Sequence, residues 1–313
     1  MYDIIGDIHG YATALKALLV KLGYSEQQGC WQHPKRKVIF LGDFVDRGPE
    51  QVETVEIARR MVDTGHALAV MGNHEFNAVA WATPRRDEPG EYLRRHSDKN
   101  RKQHESFLHQ IGDGSSDHQQ AIEWFRTLPL YLDLDGLRVI HACWHSQHLE
   151  ALGPYIDEEQ RIKPAAWPQL CEEGTEPFEA VETVLKGMEV PLPHGVHFND
   201  KDGHARTRTR TRWWHESQDL TYRDLAIVPP SMIEQIPHEP VPADLQPGYD
   251  GTKPLFIGHY WMSGTPTLMT EQIACLDYSI AGEESAKAKL CAYRWSGETV
   301  LSAENFVWVG RFG

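Results

Sequence analysis

Tyr2-Asp3-Ile4-Ile5-Gly6-Asp7-Ile8-His9-Gly10 opens this chain. A short apolar run that should start a buried strand breaks into a carboxylate and an imidazole two residues apart, held between two glycines. Gly6 and Gly10 give the backbone the freedom for a sharp loop, on which Asp7 and His9 can turn toward one point. Taken alone, the pattern fits a turn with a capping aspartate better than a site. The downstream sequence decides between a turn and a site.

Working outward, Ala12–Leu22 has the spacing of an amphipathic helix and Val38–Leu41 is a second apolar run. A helix is expected from Glu50 to Val62 and a third strand over Ala67–Met71. Strands separated by helical stretches of this length indicate βαβ units and an α/β fold. Ligands of such folds gather beyond the C-terminal ends of strands. Chemistry-bearing residues stand there each time. Asp43 lies in Gly42-Asp43-Phe44-Val45-Asp46-Arg47-Gly48, and Asn73 and His74 lie in Gly72-Asn73-His74-Glu75. His141 ends the strand Leu137–Ile140, and His259 ends the one that starts at Leu255. A buried core histidine accounts for any one of these, but not for five strand ends together. The donors are oxygens and imidazoles without thiolate, which suits manganese, iron or zinc. A carboxylate flanked by histidine and asparagine is what a two-metal site about 3.5–4 Å across requires.

The motifs GDIHG, GDFVDRG and GNHE, with two later strand-end histidines, resemble those of the calcineurin-like metallophosphoesterases. The DRG and GNHE forms are similar to the phosphoprotein-phosphatase branch, which includes serine/threonine phosphatases and symmetrical diadenosine tetraphosphatases. The likeness is dense over the first 75 residues and anchored by single residues near 141 and 259. It implies an α/β sandwich of two central mixed β-sheets flanked by helices, with a dimetal site at the strand ends. It implies two divalent ions, manganese first and iron or zinc as alternatives. Asp7 and His9 would hold one ion, Asn73, His141 and His259 the other, and Asp43 would bridge them. His74 would be the general acid, Asp46 its orienting partner and Arg47 a phosphate ligand. A hydroxide shared by the metals would attack phosphorus.

The family pattern also implies a second phosphate-gripping arginine between the last two metal histidines. The run His204-Ala205-Arg206-Thr207-Arg208-Thr209-Arg210-Thr211-Arg212-Trp213-Trp214 lies in that interval. Read as one strand of period two, it puts the arginines on one face and the threonines on the other. Asn199–Gly203 reads as a tight turn, so a hairpin arm over residues 196–214 is expected. Arg212, beside the aromatic pair, is the first choice for the phosphate and Arg210 the second. Arginines and tryptophans exposed together could also stack on bases. A charged edge strand guarded against aggregation is the plain alternative.

Residues 76–127 read as a polar helical insertion whose arginines and lysines form either a solvated face or a wall of the substrate cleft. Residues 229–254 hold seven prolines and read as a long ordered loop or lid. Ser296-Gly297-Glu298 signals a hairpin between Ala292–Trp295 and Thr299–Leu301. A single domain over 1–313 with these insertions is expected. Five cysteines without a C-x-x-C pair argue against a disulfide framework and point to a reducing cytoplasm. No stretch approaches the ~20 apolar residues of a membrane span. The net charge of −14 disfavours nucleic acid and membrane surfaces, so an anionic substrate needs local cations. The resulting expectation is a dimetal phosphomonoesterase of serine/threonine-phosphatase type. A dinucleoside polyphosphate hydrolase is the alternative, and a non-catalytic metal-bound scaffold the contrasting class. The partners are then a phosphorylated small molecule, a nucleotide or a phosphoprotein.

Overall fold

A computed structural model describes residues 1–199, 204–215, 219–242, 245–246 and 248–313. In chain order the first half comprises β1 (Tyr2–Ile5), α1 (Ala12–Leu22), a small hairpin of β2 (Ser25–Gln27) and β3 (Cys30–Gln32), β4 (Lys37–Phe40), α2 (Gln51–Asp63), β5 (Ala67–Ala69) and α3 (Asn73–Ala82). Then come α4 (Asp98–Ile111), α5 (Ser116–Arg126), β6 (Tyr131–Asp133), β7 (Arg138–Ile140), α6 (Ser146–Leu152), α7 (Trp167–Leu170) and α8 (Glu176–Lys186). The arginine region holds β8 (Glu189–Pro191), β9 (Phe198–Asn199), β10 (Ala205–Arg206), β11 (Arg208–Arg210) and α9 (Tyr222–Leu225). The chain closes with β12 (Leu255–Ile257), β13 (Ile273–Cys275), β14 (Asp277–Tyr278), β15 (Lys289–Trp295) and β16 (Phe306–Gly310).

Two mixed sheets face each other. One runs β14-β15-β1-β4-β5, with β16 also on β15; the other runs β13-β12-β7-β6. β1, β4 and β5 are parallel, as are β7, β12 and β13, whereas β15 runs antiparallel to β1 and β6 to β7. Successive residues of a strand point to opposite faces, and here both faces are covered, so the strands are continuous apolar runs. Ile4, Ile39, Val139, Phe256, Ala274 and Tyr293 meet in one core between the sheets. Their chain neighbours Ile5, Phe40, Ile140, Ile257, Cys275 and Ala292 point the other way, into the core shared with the helices. This is the layered α/β sandwich implied by the motifs.

Three local expectations are corrected. The 206–212 run is not one arm: it bends at Thr207. β10 pairs with β9, whereas β11 pairs with β8. The two-residue period survives beyond the bend, with Thr209 and Thr211 buried. Residues 200–203, on which the turn reading rests, lie outside the described residues, as do 243, 244 and 247 of the proline-rich segment. Second, Trp213 and Trp214 are buried, with Trp213 Nε1 donating to the Tyr260 hydroxyl at 2.8 Å, so they offer no face for bases to stack on. Third, the strand after Ser296-Gly297-Glu298 begins at Phe306 rather than Thr299, and Phe306 pairs with Tyr293. Trp295 Nε1 donates to the Glu298 carbonyl at 2.9 Å, which closes the turn and carries the chain past the expected strand. Among the described residues, no helix is long and apolar enough to cross a membrane.

Candidate active site

Loops leaving β1, β4, β5, β7 and β12 converge at one edge of the sandwich. The backbone there is unusual: His9, Asp43, Asp46, Arg47, His259 and Trp261 all have positive φ, between 49° and 77°. Non-glycine residues rarely adopt that region, and such strain concentrates at functional sites. Two glycines allow the closest approaches. A Cβ at Gly72 would stand 2.2 Å from Asp43 Oδ1, and one at Gly258 would stand 2.1 Å from Asp7 Oδ1.

Asp43 Oδ2 is the focal atom. His141 Nε2 lies 3.4 Å from it, His9 Nε2 3.6 Å and His74 Nε2 3.9 Å. The other oxygen, Oδ1, accepts the His74 N–H at 3.0 Å, at the N-terminus of α3, where the helix dipole favours an anion. Glu75 holds this loop in place. Its carboxylate accepts the N–H groups of Asp43 and Phe44, each at 2.8 Å, and of Gly72 at 3.0 Å.

Carbonyls fix the histidine tautomers. His9 Nδ1 donates to the Val45 carbonyl at 3.0 Å and His141 Nδ1 to the Leu41 carbonyl at 2.7 Å, so both Nε2 lone pairs point inward. Asn73 Oδ1 lies 3.2 Å from His141 Nε2 and 2.8 Å from His259 Nδ1. Asp7 Oδ2 accepts the His259 N–H at 3.1 Å. Asp7 Oδ1 and His9 Nε2 are buried without a hydrogen-bond partner. Buried acceptors left unpaired are costly, and a cation between them satisfies both. Among the described residues, His9, Asp43 and His74 form one group able to hold a metal, and Asp43, His141 and His259 form another. The donors therefore fit two divalent ions with Asp43 in common.

Burial and the neighbouring charges pull the ligand candidates in opposite directions. Burial opposes ionisation of Asp43, but the facing histidines, His141 foremost, hold its carboxyl well below the usual range. Burial also disfavours a charged His141, yet Asp43 outweighs it and lifts the ring to about 10. Burial, with help from the neighbouring His74, drops His9 to about 3. Burial and the nearby Asp277 carboxylate push Asp7 well up.

Asp46 carries a second constellation. His74 Nδ1 donates to its Oδ2 at 2.5 Å, and His104 Nδ1 donates to its Oδ1 at 2.6 Å. Burial works against a charged His74, but Asp43 and Asp46 prevail and raise its pKa. Arg47 is exposed, with its guanidinium 4.5 Å from the ring centroid of the partly exposed Trp261. That ring lies 6.2 Å from His9.

The two candidate arginines of the later run differ. Arg212 Nη1 donates to the carbonyls of Asp224 and Ala226 at 3.0 and 2.9 Å, so that part of the side chain is engaged in packing. Arg210 has a buried, unpartnered Nε and lies 3.9 Å from Glu189. After burial, its charge is the largest influence depressing His259.

Sequence reading left three groups without a role. Glu75 follows Gly72 at capping-box spacing, a signal that was there to be used. Asp277 ends the apolar run of β13 as Asp7 ends β1, and accepts the Trp261 and Ser279 N–H groups at 2.8 and 2.9 Å. His104 sits on the apolar stripe of α4 with Phe107, Leu108 and Ile111.

A family model described as calcineurin-like phosphoesterase matches residues 2–260. The bis(5'-nucleosyl)-tetraphosphatase PrpE [asymmetrical] of Oceanobacillus iheyensis is 32% identical over 141 residues, which is 45% of this chain and 54% of the relative. Its namesake from Geobacillus thermodenitrificans is 48% identical over 73 residues, 23% of this chain and 30% of the relative. The chain thus spans about half or less of these relatives. A cold-active protein-tyrosine phosphatase of a psychrophilic Shewanella sp. shares the fold, with a TM-score of 0.50 at 14% identity, covering 94% of this chain and 75% of that one.

Proposed function

The chain belongs to the calcineurin-like phosphoesterases, hydrolases of phosphoester and phosphoanhydride bonds, and we propose that its substrates are dinucleoside polyphosphates. The observation that carries this reading is the mouth of the site. The Arg47 guanidinium lies 4.5 Å from the ring centroid of the partly exposed Trp261, which itself lies 6.2 Å from His9, so a cationic fork and an aromatic ring meet beside a metal-ligand candidate. A guanidinium grips two phosphate oxygens at once, and the part of the indole it leaves uncovered offers apolar contact to a base. The PrpE relatives, named for nucleosyl tetraphosphates, point the same way.

Two divalent ions, manganese first, held by Asp7, His9, Asp43, Asn73, His141 and His259, would supply a water-derived nucleophile at neutral pH and offset phosphate charge. The chain's own residues do the rest. Arg47 orients the phosphoryl group, and Arg210, whose Nε has no partner, supports it from the β11 side. As the bond to the leaving oxygen breaks, His74 Nε2 delivers a proton to that oxygen. Asp46 keeps the opposite nitrogen, Nδ1, protonated and the ring aligned, and such acid catalysis contributes about 10²–10⁴-fold.

The His74–Asp46 couple supports a second reading, a phosphomonoesterase of the serine/threonine type. An alkoxide leaves far less readily than a nucleotide and gains most from a proton donor. Initial rates of the manganese-loaded protein on diadenosine tetraphosphate and on a phosphothreonine peptide separate the two. Preference for the dinucleotide, with nucleotide products identified, is expected. Preference for the peptide overturns the dinucleotide reading in favour of the second.

A further inference from the structure

Asp46 is shared. One carboxylate oxygen accepts from His74 and the other from His104, a residue of α4 thirty positions beyond His74. His104 is buried, and its Nδ1 carries the proton because it faces a carboxylate. The ring packs against Trp81 and Phe107, at 6.1 and 5.2 Å between centroids, and its Nε2 has no partner. The same helix grips the strained loop at two further points. Ser106 Oγ donates to the Arg47 carbonyl at 3.4 Å, and Gln110 Nε2 donates to the Gly48 carbonyl at 3.3 Å. Asp46 and Arg47, with φ of 70° and 77°, are the residues so held.

We propose that His104 is a positioning residue for the leaving-group proton: its Nδ1–H fixes the Asp46 carboxylate, which in turn fixes the His74 ring that donates to the departing oxygen. This rests on the reading of His74 as the acid, but not on the choice of substrate. A carboxylate bonded on one oxygen only can rotate about its χ2, a soft sp³–sp² torsion. Bonded on both, it holds one plane, so His74 Nε2 stays aimed into the site. The segment expected to be a polar insertion thus supplies part of the catalytic machinery.

The test uses the full-length, metal-loaded protein with His104→Leu, which removes the donor, and His104→Asn, whose amide restores a donor near the Nδ1 position. Steady-state rates are measured on phenyl phosphate and p-nitrophenyl phosphate, a poor and a good leaving group. His104→Leu should lose about 10–100-fold in kcat on phenyl phosphate and less than about 5-fold on p-nitrophenyl phosphate. His104→Asn should recover most of the difference. Equal losses on both esters, or an asparagine variant no better than leucine, overturn the proposal. A second readout needs no turnover: the downfield proton signal of His74 Nδ1–H, identified by its loss in His74→Ala. It should shift or broaden in His104→Leu and persist in His104→Asn; an unchanged signal in His104→Leu also overturns the proposal. Failure of all three proteins to cleave any ester contradicts the hydrolase reading, and the proton signal then decides on His104 separately.

Discussion

Two arginine-bearing segments of this chain behave differently in the fold. In Gly42–Gly48 the polar side chains all find their targets: Asp43 at the focus, Asp46 between two histidines, Arg47 across Trp261. In Arg206–Arg212 a strict alternation of arginine and threonine is divided between two partner strands, and its last arginine is engaged by backbone carbonyls. The first segment is a loop between β4 and α2 whose groups are each met by a specific side chain of α3 or α4: Glu75, His104, Ser106 and Gln110. The second is short edge structure paired with two different strands. The loop is fixed because each polar group has its own partner; a periodic run carries only a choice of faces.

The sharpest way to break this contrast is to remove the acid that the first segment supports. His74→Ala should lower kcat by about 10²–10⁴-fold on phenyl phosphate and much less on p-nitrophenyl phosphate. Equal losses would mean that the Asp46 constellation does something other than proton delivery. Next in size is Gly258→Ala. The added Cβ displaces the Asp7 carboxylate, and manganese affinity, read by calorimetry, should fall by about 10–100-fold as for other changes that misorient a ligand. Affinity equal to that of the parent would remove Asp7 from the ion's ligands.

The arginines give the direct comparison. Arg47→Ala and Arg210→Ala should each lower kcat/KM by about 10–100-fold, the worth of a hydrogen bond to a charged group. Arg212→Ala should leave kcat/KM within about threefold and instead lower stability by about 1–3 kcal/mol in denaturant unfolding, because two carbonyls lose their donor. The reverse pattern would restore Arg212 as the phosphate ligand.

The smallest effect concerns pH. Burial raises Glu75 to about 7 and Asp277 to about 6. Both carboxyls then keep protons in the folded chain at pH values where the unfolded chain has lost them. Their contribution to stability is complete below the ordinary carboxyl range and disappears as pH rises through 6 and 7. His74, raised by Asp43 and Asp46 against the effect of burial, acts with the same sign above its ordinary value. His9 and His259, depressed by burial, act with the opposite sign over the same range, so the test is a difference: the Tm of the metal-free parent minus that of Glu75→Gln should fall by about 2–4 °C between about pH 5 and about pH 7.5. A difference that stays flat or rises over this range would contradict the raised Glu75 carboxyl.

Much of this was legible because the fold places its chemistry where strands end. The run Tyr2–Ile5 followed by Asp7 and His9 announces both a buried strand and a ligand pair, and four more strand ends repeat the message. His104 was hidden for the opposite reason. A histidine on a helix stripe beside Phe107, Leu108 and Ile111 looks like core, and only the packing of α4 against the 46–48 loop turns it toward Asp46. Asp277 had the same strand-end signal as Asp7 but lay beyond the last motif. The burial of Trp213 and Trp214 depends on Tyr260, far off in sequence, and so could not be read locally.

The central claim is that one oxygen of Asp43 organises two metal sites. Metal content per chain, measured after manganese loading and gel filtration for the parent and for Asp43→Asn alongside their rates, tests it most directly. Two ions in the parent, falling to one or none in the variant with about 10³-fold or greater loss of turnover, is the predicted result. An Asp43→Asn protein that keeps two ions and its rate would contradict it.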